Sequence, residues 1–164
     1  FSGSVNPAIQ ELPTVLRGNL FVPHAISSTA AFSAFLLACI ASVQMLVHGR
    51  LPLLRTAKET TDFSLLDDCN YRLITIGFFL YTLCIATGAY RCKVIWGRYW
   101  SWDPSEIISL IVWVLYAMIL HGRYQRWWRP RTTAALTLIA FFVACLCFVI
   151  SAQIIMASRH YPIQ

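Results

Sequence analysis

Charge is what this sequence has least of. Only 12% of its 164 residues are charged and just 7 are acidic, against 58% hydrophobic and a mean hydropathy of +0.62. A water-soluble domain of this length carries about twice that share of charge, so the composition excludes that class and indicates a membrane protein. Also missing is any Cys-X-X-Cys pair among Cys39, Cys69, Cys84, Cys92, Cys145 and Cys147. That absence excludes a zinc knuckle and a c-type haem attachment motif within the chain, and leaves the thiols as small apolar filler. There is no internal repeat, no low-complexity segment and no signal peptide. The chain opens on Phe1 and reads as a partial or processed product, with helices expected upstream.

Acid is scarcer than base, and the net charge is +6. A basic chain is a candidate for nucleic acid, but here Arg and Lys gather at the ends of apolar runs. That pattern belongs to the lipid bilayer and not to nucleic acid. The apolar runs cover 26–47, 73–90, 104–121 and 132–158, each near the roughly 20 residues that cross a hydrocarbon core. The expected fold is therefore all-α, a polytopic transmembrane helical bundle of four spans forming a single domain over 1–164. Residues 1–22, with Pro7 and Pro13, read as an irregular approach. Residues 51–72 read as a solvated, partly helical connection, and 91–103 as a loop. The third span has a written start: Asp103 suits the N-cap, Pro104 the first helical position, and Glu106 the third place of a capping box.

Four spans alternate the connections between two sides. Residues 122–131 hold Arg123, Arg126, Arg129 and Arg131 with no acid, and with Arg50 and the 51–72 connection they give that side eight basic residues against five. The positive-inside rule makes it the cytoplasmic side. His24, the 91–103 loop and His160 then share the extracytoplasmic face.

That loop contains WGRYWSWD, three tryptophans and a tyrosine in eight residues. Interfacial tryptophans ordinarily form an aromatic belt, the reading given to Trp127 and Trp128. Density, the glycine, and the two histidines that end other spans set this loop apart. Flat aromatic faces suit a macrocycle, imidazoles ligate haem iron, and Arg91, Lys93, Arg98 or Arg159 would pair with propionates.

The run WGRYWSWDPSEIISLIVWVLYAMILH resembles the tryptophan-rich WWD signature of the haem-handling membrane proteins of cytochrome c biogenesis, of the CcsA/ResC type in the System II pathway. LLDDCNYRLITIGF, the Thr87-Gly88-Ala89 step and the Arg159-His160-Tyr161 ending carry the resemblance across nearly the whole chain. It implies that haem b is held between His24 and His160 as axial ligands, against Trp96, Gly97, Trp100, Trp102 and Asp103. It further implies that His121 binds haem on its way across the membrane, with a partner histidine outside this chain and His48 a weaker stand-in. The partners implied are a ResB/CcsB-type membrane protein, with which the chain would form a cytochrome c synthetase, and an apocytochrome c with a Cys-X-X-Cys-His motif as the acceptor of haem. Two alternatives stay open: a haem-delivery protein that loads a periplasmic haem chaperone, and a structural membrane subunit with an aromatic belt and no haem. The orientation is directly testable: reporter fusions in the 91–103 loop should be active outside the cytoplasm, and thiol labelling of Cys92 from the cytoplasmic face alone would overturn it.

Overall fold

The structure, a computed structural model, describes residues 21–48 and 57–160. Most of the approach segment (1–20) and the residues 49–56 between the first two helices lie outside the described residues. Four α-helices account for the rest: α1 (Phe21–His48), α2 (Ala57–Trp96), α3 (Pro104–Tyr124) and α4 (Pro130–His160). The first three contain apolar stretches long enough to cross a membrane, and α4 contributes a further apolar stretch over Pro130–Leu146. The chain is an integral membrane protein.

One difference from the sequence reading is the length of α2. At 40 residues it is about 60 Å long, twice the hydrocarbon thickness. Most of the expected solvated connection is the charged first part of this helix, and the expected loop begins only after Trp96. Nothing in 57–72 breaks a helix, for it contains neither proline nor glycine. The helix stops where it does because Gly97 takes φ +76°, a left-handed turn that glycine adopts without penalty. The Gly97 N–H closes on the Lys93 carbonyl at 3.0 Å, and Lys93 Nζ donates back to the Gly97 carbonyl at 2.8 Å.

Helices in lipid gain little from hiding apolar surface, because lipid tails are equally apolar; close packing and interhelical hydrogen bonds hold them instead. The chain follows that rule. Along α1 the buried positions Ala31, Ala34, Ala38 and Ala41 fall at helical spacing, so this face is nearly flat and α2 packs closely on it. Phe35, in the same stripe, enters the bundle and stacks on Tyr116 of α3 with ring centroids 3.7 Å apart and planes within 4°. Room for that ring is made by Gly77 of α2, where a Cβ would lie 2.6 Å from Phe35 Cε1. Toward the end of the bundle that holds the α3–α4 turn, Asn70 donates to Ser42 Oγ at 2.7 Å, and Arg123 of α3 forms an ion pair with Asp67 of α2.

The α3–α4 turn is built around a strained residue. Trp127 N–H reaches the Gly122 carbonyl (3.1 Å) and Arg126 N–H the Arg123 carbonyl (3.1 Å), a Schellman closure with Arg126 at φ +55° where glycine is usual. The turn folds Trp128 onto Gly122, whose missing side chain leaves the indole its space.

Gly77→Ala should destabilise the bundle by about 1–3 kcal/mol through overpacking, outweighing the gain in helix propensity. Thermal unfolding in detergent measures it. Combined with Phe35→Leu, the loss should be less than additive, because both changes act on one contact; full additivity would place the effect of Gly77 elsewhere.

Candidate functional site

The site is assembled from α1, α2, α3 and the turn between α2 and α3. His24 stands in the first turn of α1 and lies over α2, where its Nδ1 is 3.0 Å from the Cys84 carbonyl oxygen. A carbonyl oxygen can only accept, so this bond assigns the proton to Nδ1 and the lone pair to Nε2. Thr87 Oγ1 and Cys84 Sγ flank the same nitrogen at 3.4 and 3.6 Å. The ring fits because the next residue is Gly88: a Cβ there would lie 3.2 Å from His24 Cε1. The Thr87-Gly88 pair is thus a seat for an imidazole.

A cavity of about 410 Å³ opens between these helices, with His24, Cys84, Arg91, Trp100 and Glu106 on its wall. His24 also borders a deeper cavity of about 250 Å³, where Phe32, Phe35, Val112 and Phe148 contribute the apolar lining. Of the candidate cations, Arg91 lies on the cavity wall and also over the Phe21 ring at 5.2 Å. Lys93 is occupied by the Gly97 carbonyl and the Tyr99 ring.

The aromatic turn is held in a shape its residues would not choose. Trp102 has φ +60°, a left-handed conformation that costs a non-glycine residue about 1–2 kcal/mol. Its indole is 68% exposed and meets Trp100 edge to face at 6.0 Å. The expected capping box does not form. Asp103 occupies the N-cap position, but its side chain makes no cap hydrogen bond, and Glu106 instead accepts from the Ser101 N–H at 2.7 Å. The reversal at Trp102 presents the Ser101 N–H, in place of Asp103's own, to the glutamate. Asp103 stays exposed.

Residues 2–156 match the family described as cytochrome C assembly protein. The chain is 31% identical over 163 residues to the cytochrome c biogenesis protein CcsA of Synechococcus sp. CC9902, covering 84% of this chain and 54% of the relative. It is 42% identical over 91 residues to CcsA of Prochlorococcus marinus NATL1A, covering 56% of this chain and 29% of the relative. The CcsA of Picosynechococcus sp. PCC 7002 is 45% identical over 83 residues, 51% of this chain and 25% of that one. The chain belongs to the cytochrome c assembly protein family. It spans about half the length, or less, of these CcsA relatives.

Of the residues that carried the resemblance to CcsA proteins, the structure brings His24 and Trp100 to one cavity, with Trp102 beside Trp100 and Gly97 and Asp103 on the exposed turn around it. The side chains of Trp96, His160 and His48 lie outside the described residues. His121 is at the other end of α3, exposed, in a groove of about 490 Å³ that it shares with Trp113, Met118, Trp127 and Trp128. Trp127 meets the imidazole edge-on at 5.6 Å, so the two tryptophans read as a belt also wall this histidine. Tyr81 and Cys84 were not singled out from the sequence as site residues. Their signal was available: Tyr81, Cys84, Gly88 and Arg91 recur at three- and four-residue spacing, one face of a helix leading into the aromatic turn.

If Trp102 is strained by its backbone, Trp102→Gly should be more stable than Trp102→Ala by about 1 kcal/mol, although both lose the same indole. Unfolding curves of the two variants make the comparison; equal stabilities would show that the turn carries no such strain.

Proposed function

We propose that the chain acts in cytochrome c maturation as the haem-binding core of a System II synthetase, holding haem b at the extracytoplasmic face for attachment to apocytochrome c. The observation that carries this reading is the state of His24. Its Nδ1–H is committed to the Cys84 carbonyl, so Nε2 keeps its lone pair for a metal, the usual way a protein orients a ligating imidazole. The ring borders a cavity that also has a tryptophan and an arginine on its wall, groups that suit a porphyrin face and a propionate. His160, on the same side of the bundle, is the proposed second axial ligand. Arg91 is the proposed propionate partner.

Haem is the substrate in this reading. The chain's residues fix its position: His24 and His160 hold the iron, Trp96, Trp100 and Trp102 pack on the ring, and Gly97 and Asp103 shape the turn. Holding haem while an apocytochrome Cys-X-X-Cys-His segment docks makes the encounter of thiol and vinyl effectively intramolecular. Membership of the cytochrome c assembly family supports this role over a structural subunit without haem. A ResB/CcsB-type protein is the proposed membrane partner, and His121 is proposed to bind haem during its passage from the cytoplasmic side.

His24→Ala and His160→Ala should each lower the haem content of the purified protein and change its absorption spectrum. External imidazole should partly restore the spectrum, since only a ligand is lost. Wild-type spectra in both variants would exclude the pair. His121→Ala should lower the haem that reaches the outer site in cells, while leaving the spectrum of what does arrive unchanged.

A further inference from the structure

We infer that Glu106 is the acid–base group of thioether formation, accepting the proton of the incoming cysteine thiol and returning it to the haem vinyl group. The inference rests on the haem-presenting reading above and adds a chemical step to it. Glu106 is the one carboxylate among the described residues lining the cavity that His24 borders. It sits in the first turn of α3, half-buried, and one carboxylate oxygen accepts the Ser101 N–H at 2.7 Å. That bond ties the carboxylate to the backbone between Trp100 and Trp102, the two indoles proposed to pack on the ring. A helix cap would not require this arrangement, since the capping box that would explain the glutamate is not formed. Cys92 of α2 lies on the wall of the same cavity, so the space that Glu106 borders already admits a thiol.

Joining a thiol to a vinyl group needs such a residue. A free thiol is mostly protonated near neutral pH, and the thiolate is the nucleophile. In the step proposed, the S–H bond breaks and the proton passes to the carboxylate oxygen of Glu106 other than the one that accepts from Ser101. The sulfur forms a bond to the vinyl carbon next to the ring. The π pair of the vinyl bond takes the proton from Glu106 at the terminal carbon, restoring the carboxylate. The reaction is an addition: no electron enters or leaves, and the iron keeps its oxidation state. One carboxylate positioned between donor and acceptor suffices, and general acid–base catalysis of this kind contributes about 100- to 10,000-fold.

The competing explanation is that Glu106 only braces the turn, and Glu106→Gln separates the two. The amide oxygen still accepts from the Ser101 N–H, but it carries no transferable proton. In the complete synthetase, coexpressed with apocytochrome c, Glu106→Gln should keep wild-type haem content and absorption spectrum. Its rate of holocytochrome c formation should fall about 100-fold. Glu106→Asp, which keeps a carboxylate, should recover part of that loss. Wild-type maturation by Glu106→Gln would overturn the inference and leave the residue as a brace. Loss of haem from Glu106→Gln would overturn it equally, by placing the residue in binding. A wild-type protein that carries no haem would instead refute the parent reading, so the two failures are distinct.

Discussion

Everything in this bundle depends on how closely α1 can approach α2. In lipid the helices are not driven together by water, so affinity between them has to come from contact. The alanine stripe of α1 provides it by leaving nothing in the way. Two glycines of α2 complete the fit at different depths, Gly77 under Phe35 and Gly88 under His24. They are 11 residues apart, about three turns, and so lie on the same face of α2. The packing that stabilises the middle of the bundle therefore also sets the height and orientation of the imidazole at the end beside the aromatic turn. Phe35 extends that constraint across the bundle, because its stack on Tyr116 sets where α3 can lie.

The α2–α3 contact is the sparser one, and the site is there because it is. Among the described residues these helices meet through a few directed interactions and little surface: the Asp67–Arg123 ion pair near the α3–α4 turn, Trp113 Nε1 to Thr82 (3.0 Å), and Tyr81 OH to the Ser109 carbonyl (3.3 Å). Toward the aromatic turn the helices leave the cavity of about 410 Å³ between them. A cavity in a bundle normally forfeits packing energy. Here the hydrogen bonds and the ion pair offset that loss without filling the space. The strained Trp102 belongs to the same account, since strain persists where surrounding structure over-determines a residue and clusters at functional sites.

The fold was largely legible in the sequence because lipid imposes simple rules. Runs without charge had to be helices, and glycine, proline and basic residues marked where they end. The misreadings came from local rules that tertiary context overrode. Charged residues at 57–72 suggested a connection, yet charge does not break a helix, and α2 simply extends beyond the hydrocarbon. Asp103 and Glu106 match a capping box in spacing, but spacing says nothing of the φ +60° at Trp102 that redirects the glutamate to Ser101. Of the site, His24, Trp100 and the aromatic turn were visible as residue types with unusual company. The Cys84 carbonyl was not, because it is backbone and has no sequence signature. Its importance appears only once Gly88 lets an imidazole rest on it.

The two ends of α3 pose the same problem and solve it differently. Each has a histidine near tryptophans, and each adjoins a non-glycine residue in the left-handed region, Trp102 before the helix and Arg126 after it. At the end beside the aromatic turn the imidazole of His24 is half-buried, held by a carbonyl and bordered by a cavity that α1, α2 and α3 line. At the other end His121 is exposed, in a groove whose walls, among the described residues, come from α3 and the α3–α4 turn. A ligand with one rigid imidazole and an enclosing wall would be retained; one resting against an open groove would need a further element to complete its coordination. The reversal at Arg126 is what builds that groove, because it turns the chain back so that Trp127 meets His121 and Trp128 lies on Gly122.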